Sequence, residues 1–202
     1  MKKGSHNSLT YLPPKHWYLK PFNFMAKCQS VNYEKQYQLG SRIFDIRIRY
    51  DNNLNIVFAH GSMEYKSFTE KDLYDMLTYL NSKSTTDDRI WVRFLLERNS
   101  ELKDKNKQTL EQDKFCKLCQ IVKMLNQNIL FFGGRRKYDW ALLYDFQCGE
   151  PNMIDLYSST TGTKIDDLYP YKYAIKNNHQ NIIDKTEEGK YDYIFLDFIE
   201  IS

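Results

Sequence analysis

No run of apolar residues in this chain approaches the length of a membrane-spanning helix, so nothing in it reads as a transmembrane segment. Met1-Lys2-Lys3 leads straight into Gly-Ser-His-Asn, without the apolar stretch of a secretory signal. With Met1 as the natural start this predicts a cytoplasmic protein; any other start leaves secretion open. An excess of one charge is also lacking. Lys+Arg 29 against Asp+Glu 26 leaves a net +3 at pH 7, too little to argue for nucleic acid as a partner. It fits an anionic small molecule or a lipid surface equally well. There is no internal repeat, no low-complexity tract and no phosphate loop. The paired Gly133 and Gly134 are not followed by Gly-Lys-Ser/Thr at the required spacing and read as a flexible turn. Cysteine occurs only as Cys28, Cys116, Cys119 and Cys148. Cys116 and Cys119 have metal or redox spacing, but no second pair and no nearby histidine completes a zinc site. They lie in a run of helical period and read as small buried side chains or idle thiols, with a redox role the minor option, and no cofactor is expected.

What is present is enough apolar material for one substantial core: 42% hydrophobic and 15% aromatic residues in a chain of 202, read as a single domain over residues 1–202. Strand patterns fall at Arg42 to Arg49, Asn55 to Ala59, Arg89 to Leu96, Asn128 to Phe132, Trp140 to Tyr144, Asn152 to Leu156 and Tyr191 to Ile199. Helical patterns fall at Tyr33 to Leu39, Thr69 to Ser82, Leu110 to Gln127 and Ala174 to Gly189. Thr69 with Asp72 reads as a capping box carrying a shorter acid. Loop signals lie at Tyr11 to Lys15 and Ser158 to Gly162. The alternation predicts an α/β fold with a largely parallel sheet, open or closed into a small barrel. Only three residues precede Gly4, so a first strand there is expected to be vestigial or absent.

Histidine and glycine meet twice, in Gly4-Ser-His-Asn-Ser8 and in Ala59-His-Gly61. Between them, Ser41-Arg-Ile-Phe-Asp-Ile-Arg47 puts charges inside a strand pattern, with Phe44, Ile46 and Ile48 on one face and Asp45, Arg47 and Arg49 on the other. Two readings stand. Either the charged face is in water, or it points to the centre of a barrel near the C-terminal ends of its strands, where sites in that architecture are built. His60 ends the next strand pattern, within reach of Asp45 and Arg47. Two imidazoles and a guanidinium suffice for phosphodiester cleavage: one ring takes a proton, the other gives one, and the arginine holds the charge on phosphorus.

These three motifs, in order and at suitable separation, resemble the X-domain of the phosphatidylinositol-specific phospholipases C, in its metal-independent bacterial form. The resemblance covers Gly4 to Tyr65 well and is fainter beyond. It implies a compact, distorted TIM-like barrel and attack of the inositol 2-hydroxyl on its own phosphate. His6 would be the general base, His60 the general acid and Arg47 the stabiliser of phosphoryl charge. Asp197, in Ile194-Phe-Leu-Asp-Phe-Ile199, would orient His6, and Asp45 matches the acidic position before the arginine. Arg47 stands where the calcium-dependent eukaryotic relatives carry an acid, which implies no metal; Asn7 matches the calcium-dependent pattern instead. Asp155 and Tyr157 match a strand that binds the inositol ring, and Arg135 another ring-binding position. Leu95 and Leu96 depart from the family's lysine-rich strand end. Glu97 and Arg93 read either as head-group contacts or as solvated charges.

The expected partner is therefore a phospholipid, with phosphatidylinositol foremost and the protein monomeric. Trp17, Phe22 and Phe24, interleaved with lysines after the His6 loop, read as an interfacial contact or as packing of that loop onto the barrel. A phosphodiesterase acting on glycerophosphodiesters or another head group, and a non-catalytic module binding anionic lipid, are the alternatives.

Overall fold

A computed structural model describes residues 1–51, 53–61, 63–66, 68–97, 105–135 and 151–202, with side chains for all of these except 105–109, 134 and 135. The strands are β1 (Lys2–Ser5), β2 (Ser41–Tyr50), β3 (Ile56–His60), β4 (Met63–Glu64), β5 (Trp91–Leu96), β6 (Leu130–Arg135), β7 (Met153–Asp155) and β8 (Tyr193–Leu196). The helices are α1 (Asn23–Ala26), α2 (Tyr33–Gln38), α3 (Glu70–Lys83), α4 (Lys105–Leu125), α5 (Ser158–Thr161), α6 (Lys164–Leu168) and α7 (Pro170–Glu188). Short 3-10 helices cover Trp17–Phe22 and Ile199–Ile201.

The sheet runs β7-β8-β1-β2-β5-β6, parallel at every pairing, and curls as in a distorted TIM-like barrel. Residues 136–150, which hold Cys148 and the expected strand Trp140 to Tyr144, lie outside the described residues. The first strand is neither vestigial nor absent. All four of its residues pair with β8 on one side, and Lys3, Gly4 and Ser5 with β2 on the other. A short strand suffices when both of its edges are hydrogen-bonded. Gly4 makes the fit possible, because a Cβ there would come within 2.6 Å of the Phe195 ring on β8 and 2.9 Å of Ile43 Cβ on β2.

β2 organises the site. Every residue in it but Arg42 is buried, so the reading of a charged face in water fails. Phe44, Ile46 and Ile48 belong to the large core with Leu73, Met76, Leu77 and Leu80 of α3 and Phe115, Leu118 and Val122 of α4. Asp45 and Arg47, on the opposite face, are buried as well. β3 does not continue the parallel sheet; it turns back along β2, Ile48 opposite Phe58 and Tyr50 opposite Ile56. Its last residue, His60, is thereby returned toward the end of β1.

Two glycine expectations also change. Gly133 and Gly134 are not a turn but part of β6, opposite Phe94 and Leu95. Gly133 has φ +114 and a Cβ there would lie 2.5 Å from the Phe94 carbonyl oxygen, which only glycine accommodates. The Ser158 to Gly162 loop signal holds the single helical turn of α5. The Thr69–Asp72 capping box forms as expected, and α7 ends at Gly189 with φ +63. Cys119 is buried and Cys116 half-buried on α4, in keeping with a core role.

Candidate active site

The loop leaving β1 is held from three sides. His6 N–H donates to Leu196 O (2.9 Å), Asn7 N–H to Asp45 Oδ2 (3.1 Å) and Ser8 N–H to Asp45 O (2.9 Å). Asn7 takes φ +47, a conformation that asparagine tolerates better than most residues. Gln29, fully buried, donates from Nε2 to His6 O and Leu196 O and accepts from Ile199 N–H. It ties the first loop to the end of the last strand.

These contacts fix the His6 ring. Its Nδ1 lies 2.7 Å from Asp197 Oδ1, while Asp197 Oδ2 accepts from Ser158 N–H (3.2 Å) and Ser158 Oγ (3.0 Å). Tyr157 stacks on one face, centroids 3.7 Å apart and planes 5° from parallel. A carboxylate accepts only, so Asp197 holds the neutral ring with its proton on Nδ1 and its lone pair on Nε2. Burial drives the His6 pKa well below its usual 6.5; Asp197 opposes this and Arg47 adds to it. The ring is therefore neutral at pH 7, with Nε2 facing Arg47 Nη2 at 2.6 Å and Asn7 Nδ2 at 3.1 Å.

Arg47 is clamped in turn. Nε donates to Asp45 Oδ2 (2.8 Å) and Nη1 to Glu97 Oε1 (3.2 Å), with all three residues buried. Burial opposes the guanidinium charge, but Asp45 and Glu97 outweigh it and hold the pKa above the ordinary arginine value. Burial likewise opposes the Asp45 carboxylate, which Arg47 and Arg93 keep below its usual range. Glu97 is thus neither solvated nor placed for a head group. Its contact with Arg47 is a role that the sequence reading missed.

His60 faces His6 across the site, centroids 6.0 Å apart and planes at 83°. Its Nδ1 lies 2.8 Å from Ala26 O, which can only accept, so Nδ1 carries a proton and Nε2 is the atom for exchange. Cys28 sits between the rings, Sγ 3.9 Å from His60 Nδ1 and 3.7 Å from Asn7 Nδ2. Burial first and Asp197 second push its thiol well above the usual range, so it is not a nucleophile in waiting.

The structure brings His6, Asn7, Asp45, Arg47, His60, Tyr157 and Asp197 together. Tyr157, expected against a sugar ring, instead lies on His6. Asp155 ends β7 half-buried. Arg135 ends β6, and its side chain lies outside the described ones. The imidazoles open into a cavity of about 530 Å³ whose wall includes Phe22, Met25, Cys28 and Leu168. The elements that supply this wall carry exposed apolar side chains, which form a rim: Trp17 at 77% and Phe22 on the first 3-10 helix, Phe24 on α1, Ile165 and Leu168 on α6 and Ile175 on α7. Phe24 stacks on Tyr169, centroids 5.2 Å apart, joining the two sides of this rim.

No protein-family model matches the chain, and no curated protein matches it. Among solved structures it is similar to the phosphatidylinositol-specific phospholipase C from Listeria monocytogenes, with TM-score 0.62 and 17% identity over 98% of this chain and 87% of that one. A mutant of the enzyme of the same name from Staphylococcus aureus gives TM-score 0.61 and 15% identity, over 98% and 85%. Another S. aureus structure, described as concerning modulation of that enzyme's membrane binding, gives 0.56 and 15%, over 98% and 85%. Over nearly its whole length, then, this chain carries the fold of the bacterial phosphatidylinositol-specific phospholipases C.

Proposed function

We propose that this chain cleaves the phosphodiester of a phosphoinositide-type lipid by internal attack of the inositol 2-hydroxyl, releasing diacylglycerol and a cyclic inositol phosphate. The observation that carries this reading is the His6–Asp197 pair, with its Nε2 lone pair turned toward Arg47 and a second imidazole 6.0 Å away. His6 Nε2 takes the hydroxyl proton as the oxygen-to-phosphorus bond forms. His60 Nε2 gives its proton to the glycerol oxygen as that bond to phosphorus breaks. Asp197 stabilises the imidazolium formed at His6. Arg47 exchanges the Nη2 donation to the Nε2 lone pair for one to a phosphoryl oxygen, where its charge stabilises the transition state. Asp45 and Glu97 keep the guanidinium in place while it does so.

Arg47 supplies the charge that the calcium-dependent relatives take from a cation. EDTA is therefore expected to leave head-group release from phosphatidylinositol vesicles undiminished; loss of release on chelation, restored by calcium, would contradict the mechanism. The exposed rim is read as the surface that meets the bilayer, a peripheral contact for which the chain needs no membrane span. Among the described residues no helix is long and apolar enough to cross a membrane. Replacing Trp17 and Phe24 together by alanine should weaken vesicle binding by about tenfold or more per ring, with turnover of a monomeric soluble substrate unchanged. Unaltered sedimentation with vesicles would sink this assignment.

A specific observation favours a second head group. Leu95 and Leu96 are buried where the bacterial relatives are expected to offer lysines, and one face of Tyr157 is taken by His6. A panel of head groups assayed with and without calcium separates the options, since glycerophosphodiester turnover only with metal would replace the primary reading. A non-catalytic module would fit a poorly held base, whereas β1 is paired on both edges and Gln29 Nε2 donates to His6 O.

A further inference from the structure

Cys28 belongs to no step of the reaction above, yet it lies at the centre of the site. Its Sγ, an imidazole nitrogen of His6 and a carboxylate oxygen of Asp197 all lie within 4.8 Å of one another. Sulfur, nitrogen and oxygen converge from three separate parts of the chain: the segment after α1, the loop after β1 and the end of β8. All three side chains are buried, and Cys28 and His6 also line the cavity through which solvent reaches the site. A thiolate, an imidazole and a carboxylate on one side of an ion, with an open position on the other, match the ligand set that a thiophilic divalent cation takes.

We propose that this cluster is an inhibitory site for zinc, with Cys28, His6 and Asp197 as its ligands. Ser158 already holds Asp197 Oδ2, so Oδ1 is the oxygen turned to the ion. The cation takes the place of the proton between Asp197 Oδ1 and His6 Nδ1. Bonds of about 2.0–2.2 Å at a tetrahedral angle put these two atoms about 3.3–3.6 Å apart, so they must part by roughly 0.6–0.9 Å from their 2.7 Å separation. The thiol proton goes to solvent, and the His6 proton moves to Nε2. With thiolate and carboxylate each contributing one negative charge, the dication leaves the three-ligand cluster neutral. The proton on Nε2 then faces the Arg47 Nη2 donor 2.6 Å away, so binding also requires the guanidinium to give up that contact, as it does in the proposed reaction.

Inhibition follows from the tautomer. Once Nδ1 is coordinated, Nε2 carries the proton, and the lone pair that would accept the 2-hydroxyl proton is gone. The inhibitory consequence rests on the proposed reaction; the binding does not. Nothing in this site makes the cation part of turnover, so a chelator leaves activity undiminished and relieves inhibition wherever zinc is bound.

The test uses the full chain, stripped with chelator and dialysed, with zinc and then cobalt as probes. One equivalent of zinc is expected to bind in equilibrium dialysis, and cobalt should give a thiolate-to-metal charge-transfer band in the near ultraviolet. Cys28→Ser and Cys28→Ala should both abolish the band and weaken zinc binding at least about tenfold, while Cys116→Ser and Cys119→Ser should not. If the band persists in both Cys28 variants, or if the wild-type chain shows no such band and zinc binding that the Cys28 variants leave unchanged, the site is elsewhere and the proposal fails. Zinc inhibition of lipid cleavage that disappears in the Cys28 variants supports the coupling; tight zinc binding with undiminished turnover overturns it. A chain that binds zinc as described but cleaves no lipid refutes the proposed reaction and leaves the metal site standing.

Discussion

His6→Ala is expected to lower the rate of head-group release by about 10²- to 10⁴-fold, the usual worth of a positioned general base. The loss should fall on kcat, because the imidazole acts on the proton in flight rather than on the lipid that anchors at the rim. Alanine also removes the ring stacked on Tyr157 and the donor to Asp197, but Asp197 keeps both of its bonds from Ser158. The fold should survive, which a circular dichroism melt checks. The pH profile carries a second signature. His6 is held below its usual pKa of 6.5, mainly by burial. Its neutral, proton-accepting form therefore persists below pH 6.5, and kcat/KM should decline only as pH falls through that lowered value. An acid limb centred at or above 6.5 would contradict the assignment of His6 as the base.

Arg47→Met should be the most damaging substitution for fold and reaction together. It removes the donors to Asp45 and Glu97, leaving two buried carboxylates without their shared partner, at a cost of about 3–5 kcal/mol for a broken buried pair. It also removes the charge aimed at the phosphoryl oxygens, worth about 10²–10³ in kcat for a transition-state donor. Arg47→Lys separates the two effects. A lysine restores a positive charge between the carboxylates and should recover part of the stability. A single ammonium cannot span Asp45, Glu97 and a phosphoryl oxygen in the way a planar fork does, so kcat should stay low. Urea melts and single-turnover rates on the same preparations give both numbers, and a lysine variant with full kcat would show that Arg47 acts only as structural charge.

Much of this cluster was legible in the sequence because its residues lie in local motifs. His6, Arg47 and His60 each stand in a short pattern, and the period of two in β2 placed Asp45 and Arg47 on one face. Which side of the sheet that face lay on was not legible, since burial on both faces of a strand is a property of what packs there, here the His6 loop and Arg93. The direction of β3 was missed although a signal existed. Only a few residues separate the two strand patterns, and a parallel connection needs a dozen or more. Asp51, whose carboxylate accepts from Asn53 and Asn55 N–H, closes that turn. The first strand was discounted on chain length alone. Gly4, wedged between Phe195 and Ile43, was the residue that marked a strand crossed closely on both sides. Gln29, Cys28, Ser158 and Glu97 left no local mark, because their roles arise from contacts across the fold with His6, Asp197 and Arg47.

The central claim, that His6, His60 and Arg47 drive internal attack on a phosphodiester, is tested most directly by phosphorus NMR of phosphatidylinositol vesicles incubated with the protein in EDTA. The account predicts a cyclic inositol phosphate resonance that grows with time in the wild-type chain and is absent with His6→Ala and with His60→Ala. An unchanged phospholipid signal in the wild-type sample, or the same cyclic product from both histidine variants, would contradict it.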